Sequence, residues 1–153
     1  MSARSKARKR ALDVLYEADI RGITPAEVLS ATEQRRADDG QASMNAYVAE
    51  VVDGVTAHRD YIDELLGSYS MGWSLDRMPA VDRAILRIGT YELLWRDDIP
   101  DAVAISEAVT LAQELSTDES SSFVNGLLGR IAEVAPTLLE RMASSLSRLV
   151  TKR

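Results

Sequence analysis

Between Pro79 and Arg96 the apolar residues Val81, Ala84, Ile85, Ile88, Tyr91 and Trp95 recur at steps of three and four, and nowhere along the chain do apolar and polar residues alternate in twos. A 3.6-residue period gathers such positions on one stripe of a helix, whereas a half-buried strand needs a period of two. The same spacing returns at Ala11, Leu15 and Ala18, with Leu12 and Tyr16 widening the stripe. It returns again at Val48, Val51, Val55, Ile62, Leu65 and Tyr69, and at Phe123, Leu127 and Ile131. The chain is therefore expected to be all-α, as two small bundles packed together. At 153 residues and 46% hydrophobic content it is long enough to bury a core as one domain.

Turn chemistry divides these stripes. Thr24-Pro25-Ala26-Glu27 has the form of a capping box with proline at the first helical position, so Gly22 closes the first helix and a second begins at Pro25. Ala37 to Gly40 reads as a turn, and Met44 to Tyr69 as one long helix or two nearly collinear ones broken at Gly54. Gly72 to Pro79 suits a capped single turn before the regular helix from Ala80. Asp97-Asp98-Ile99-Pro100 precedes a helix running through Ala108 and Ala112 to Leu115, and Ser116 to Ser122 reads as a polar loop. Pro136 is expected to end the following helix, leaving Leu138, Met142, Leu146 and Leu149 on a separate amphipathic segment. The layout is thus a basic segment at 1–10, a helical domain at 11–136 and a helical extension at 137–153.

Two polar residues break the stripes. Glu92 projects between Ile88 and Trp95, where a carboxylate requires a buried hydrogen bond or ion pair. His58, the single histidine, has no second imidazole with which to share a metal and reads as a structural residue.

Charge is the functional signal. Arg4, Lys6, Arg8, Lys9 and Arg10 crowd the first ten residues without an acid, while the whole chain carries a formal charge of −6 and the remainder therefore −11. Such asymmetry suits a polyanion at one edge and a basic partner elsewhere. Lys6, Lys9 and Arg10 align with Asp13 and Glu17, away from the apolar stripe, where they can meet phosphate. Phosphate-cradling glycine loops, a nucleophile elbow, paired-histidine helices and calcium loops are all missing, so an enzyme is not expected and no cofactor is called for. There is no cysteine and no apolar run long enough to cross a bilayer, and acids interrupt the stretch after the basic residues, so a cytoplasmic protein is expected.

Three motifs in register then carry a resemblance. Pro79 to Leu93 (PAVDRAILRIGTYEL), Ile99-Pro100 with Ala104 to Val109 (AISEAV), and Phe123 to Leu128 (FVNGLL), together with the basic segment leading into Ala11-Leu12-Asp13-Val14-Leu15-Tyr16, resemble the NusB family over roughly residues 5–135. The resemblance implies an all-α fold of two three-helix bundles, here with an extra C-terminal helix. It implies a non-enzymatic transcription antitermination factor that binds the boxA element of ribosomal RNA leader transcripts. It also implies that this binding occurs together with ribosomal protein NusE, within the RNA polymerase antitermination complex. Arg4, Lys6, Arg8, Lys9 and Arg10, Asp118 and Glu119, and Phe123 match the family's RNA-contacting positions, and Tyr16 and Asp82 match positions of the NusE interface. Phe123 also continues the stripe of Leu127 and Ile131, the pattern of a core residue. Ser120-Ser121-Ser122 stands where relatives often carry a basic residue, and the family includes both monomers and homodimers. The alternative is a helical module that binds NusE, with RNA contact incidental.

Overall fold

The computed structural model describes residues 2–151, with side chains as far as residue 148, so the inward position expected of Leu149 lies outside the described side chains. Every regular element among them is helical: α1 (Ala3–Arg21), α2 (Pro25–Asp38), α3 (Ala46–Ala57), α4 (Arg59–Tyr69), a 3-10 turn at Leu75–Arg77, α5 (Ala80–Trp95), α6 (Asp101–Leu115) and α7 (Asp118–Thr151). The helices α1, α2 and α3 pack mutually as one three-helix bundle, and α5, α6 and α7 as a second. Contacts of α1 and α3 with α5 join the two, while α4 lies against α5 and α7.

Local chemistry sets the helix ends. Ser2 caps α1 by accepting the Ser5 N–H at 3.0 Å, and Gly22 closes it at a φ of 66°, a conformation that a Cβ disfavours. Both halves of the capping box form at α2, with Glu27 N–H donating to Thr24 Oγ1 at 3.2 Å and Thr24 N–H to Glu27 Oε2 at 3.1 Å. The break between α3 and α4 falls at His58 rather than at Gly54. Gly54 remains helical because its bare face receives the Tyr91 ring, and an added Cβ would stand 2.2 Å from Tyr91 Cε2. His58 has the structural role expected, its ring stacked on Trp95 with centroids 3.9 Å apart.

The central helix α5 exceeds the one-sided stripe read from its sequence. Ala84 through Leu94 are all buried, because α1, α3, α4, α6 and α7 pack around it. Gly89 permits the approach of α7, since a Cβ there would meet Leu128 Cδ1 at 2.6 Å. Leu12, Val48, Val51, Ile62, Leu66, Ile85, Leu86, Leu127, Leu128 and Ile131 complete the fully buried interior.

Pro136 does not end its helix; α7 continues through it to Thr151. Proline removes one N–H and crowds the carbonyl four residues back, at a cost of about 3 kcal/mol in a helix interior. Burial offsets that cost, for Ala135 and Leu138, on either side of the proline, pack with Leu65 and Leu94 in a second apolar cluster. The expected boundary between residues 136 and 137 therefore lies inside one continuous helix.

Candidate nucleic-acid and partner interface

Helical geometry sorts the basic residues of α1 into an outer and an inner set. Lys6 and Arg10, four residues apart, are exposed on one line of the helix. Lys9 is half-buried, its side chain 43% exposed and its Nζ 3.5 Å from Glu114 near the end of α6. The side chain of the half-buried Arg4 is also 43% exposed; it pairs with Asp98 at 2.9 Å and lies over the Tyr47 ring, 4.7 Å from its centroid. The Arg96 guanidinium, seconded by that of Arg4, holds the Asp98 carboxyl below its ordinary pKa.

Arg8 belongs to the interior, which corrects its expected place among the RNA contacts. It is 2% exposed, shares the inward face with Ala7, Ala11 and Leu12, and donates through Nε to Glu92 Oε1 at 3.0 Å and Oε2 at 2.8 Å. The Tyr47 hydroxyl donates to the same Oε2. Burial, and then the Glu92 carboxylate, push the Tyr47 hydroxyl pKa up, so the phenol stays a donor. This is the partner that the position of Glu92 required. Tyr47 itself carried no periodic or charge signal for this role; only the fold brings it 45 residues across the sequence to Glu92.

The second cluster lies at the start of α7. Asp118 and Glu119 are exposed in its first helical turn rather than in a loop, where acids complement the positive end of the helix dipole. Thr117 Oγ1 accepts the Ser120 N–H at 3.1 Å. Ser120 turns inward and donates to Asp82 Oδ2 at 2.7 Å, fastening α7 to the first turn of α5. Asp82 is thereby only 2% exposed, so its expected place at a partner surface is corrected to a structural one. Phe123 is half-buried, resting on the core on one side and on Trp73 on the other, with ring centroids 5.3 Å apart. Lys9 on α1 pairs with Glu114 near the end of α6, four positions before Asp118 in sequence.

Tyr16 is 43% exposed and faces outward from α1. It lines a groove of about 490 Å³ with Leu12, Ile20, Pro79, Val81 and Leu115. Ile20, at 61% exposure, and Leu115, at 41%, give this groove an apolar floor with Asp13 at its rim. The stripe placed Tyr16 with the inward residues, and only the family resemblance pointed to a partner surface; Leu115 read as a stripe residue and Ile20 carried no signal, because a stripe does not say where the neighbouring helix stops.

These surfaces define an all-α protein that presents a cationic helix edge beside an apolar groove. No helix among the described residues is long and apolar enough to cross a membrane. The NusB family model matches residues 5–133, and the chain belongs to the NusB family. It is 57% identical over 151 residues to the transcription antitermination protein NusB of Beutenbergia cavernae, covering 95% of this chain and 99% of that one. With the transcription antitermination protein NusB of Kineococcus radiotolerans it shares 61% identity over 138 residues, covering 90% and 98%. Among solved structures, T. maritima NusB superposes with a TM-score of 0.76 at 32% identity, over 87% of this chain and 92% of that one. The crystal structure of antitermination factors NusB and NusE in complex with dsRNA contains a chain matched with a TM-score of 0.74 at 28% identity, over 88% and 98%.

Proposed function

We propose that this chain is a transcription antitermination factor that binds boxA RNA together with ribosomal protein NusE, without catalysis, as part of an RNA polymerase antitermination complex in the cytoplasm. The observation that carries this reading is the basic outer face of α1, where Lys6 and Arg10 are exposed and the half-buried Lys9 still reaches the surface; Asp118, Glu119 and Phe123 at the start of α7 are its further RNA contacts in this reading. Cations on the phosphates position a single strand; acceptors and rings engage its unstacked bases. Arg4 joins the cationic edge, while Arg8 supports it from beneath through Glu92. The relative of known structure that was solved with NusE and RNA lends this reading its support.

The groove beside Tyr16 is the NusE site in this reading. Its apolar lining suits an apolar partner face, and the acidic character of the chain outside the first ten residues favours a basic partner. The test is a titration of boxA RNA at two salt concentrations with and without NusE. The expected result is tighter RNA binding when NusE is present and a steep loss of affinity with salt. Tight NusE binding that a scrambled RNA leaves unchanged would instead identify a protein-interaction module.

A further inference from the structure

Trp73 is the larger ring of an aromatic pair at the protein surface. It is 52% exposed, although Trp is highly buried on average. Its indole leans on Phe123 with the rings tilted by 36°. The segment beneath it is pinned rather than loose. The buried Ser70 donates its hydroxyl to the Gly67 carbonyl at 3.2 Å and to the Trp73 carbonyl, and Arg130 Nε donates to the Tyr69 carbonyl at 3.0 Å. Met71, with a φ of 58°, turns the chain so that Trp73 follows on the outside. Arg130 lies along α7 beside Gly126, its Nη1 3.4 Å from where a Cβ would stand, and Arg77 is exposed on the 3-10 turn that follows Trp73.

We propose that Trp73 and Phe123 together form a stacking platform for unpaired bases of single-stranded RNA, with the exposed Arg77 on the following turn as the nearest cation in sequence. This rests on the reading of the chain as an RNA-binding factor and extends its RNA surface past α7 onto the α4–α5 connection. Rings of this kind hold bases of any sequence because every base offers a π face. Half of the indole is exposed beside the Phe123 ring, and a paired π surface of this kind suits an unstacked base. Asp76 on the same turn and Asp118 nearby in sequence to Phe123 are acceptors suited to base amino groups.

The test uses the full chain carrying Trp95→Phe, which leaves Trp73 as the single tryptophan. Single-stranded boxA RNA is titrated in the presence of NusE. The expected result is quenching of Trp73 emission on binding, and an affinity loss of about tenfold for Trp73→Ala that Trp73→Phe largely restores. NusE binding without RNA should be the same in all three proteins. If the parent binds RNA while Trp73 emission is unmoved and Trp73→Ala binds equally well, the platform is refuted. Loss of NusE binding alone in Trp73→Ala would make Trp73 a protein contact and likewise overturn it. Failure of the parent itself to bind RNA would refute the underlying reading, a result distinct from the others.

Discussion

Arg8 and Lys9 are adjacent in sequence and opposite in role, because successive helical positions are about 100° apart. Lys9 remains at the surface, whereas Arg8 closes a buried triad with Glu92 and Tyr47. Removing one member of a buried pair leaves the other charge unsolvated, at about 3–5 kcal/mol. Arg8→Ala should therefore lower unfolding free energy by about that amount in denaturant titrations. The combined change Arg8→Met, Tyr47→Phe and Glu92→Leu, which removes every polar group of the triad, should recover most of the loss. A surface phosphate contact at Arg8 would instead leave stability within about 0.5 kcal/mol of the parent. Asp98 offers a pH test at the same scale. Its carboxyl is held below the ordinary 3.8 by Arg96 and Arg4. Its contribution is thus fully present above pH 3.8 and is lost as pH falls through the lower folded value. The stability difference between the parent and Asp98→Asn should shrink in acid, and NMR titration of the Asp98 carboxyl should give a midpoint below 3.8.

At the scale of elements, α7 shows what a proline does when burial opposes it. Leu138 is 6% exposed beside Leu65 and Leu94, whereas Leu146, two turns further on, is 64% exposed. Leu138→Ala should cost about 2–4 kcal/mol by thermal or chemical unfolding, and Leu146→Ala less than about 0.5 kcal/mol. Equal effects would contradict the packing described for the C-terminal part of α7. The proline rule misplaced this helix end for a physical reason: local propensity registers the lost N–H, while the compensating cluster comes from α4 and α5, distant in sequence. Capping chemistry is local, and accordingly Thr24, Pro25 and Glu27 marked the start of α2 correctly. Gly54 drew the predicted break to itself because its low propensity is visible in the sequence and the Tyr91 ring that fills its vacant side is not. Glu92 was legible as a buried carboxylate from its stripe position, but Arg8 was hidden in a run of similar cations. Likewise Asp82 looked like a surface acid until Ser120 was brought to it.

For the whole molecule, α1 of the first bundle packs on α5 of the second and carries both the cationic edge and the Tyr16 face of the groove. The cationic edge of α1 and the groove at Tyr16 both meet the end of α6, through Lys9 beside Glu114 and through Leu115 in the groove wall. The central claim is that Lys6, Lys9 and Arg10 neutralise RNA phosphates, while Arg8 serves the fold. The dependence of RNA affinity on salt, compared between the parent and the Lys6→Ala, Lys9→Ala, Arg10→Ala variant, reads this most directly. Each phosphate contact to a single strand adds about 0.7 to the slope of log affinity against log salt, so the variant should show a slope shallower by about 2. A slope equal to that of the parent would contradict the account.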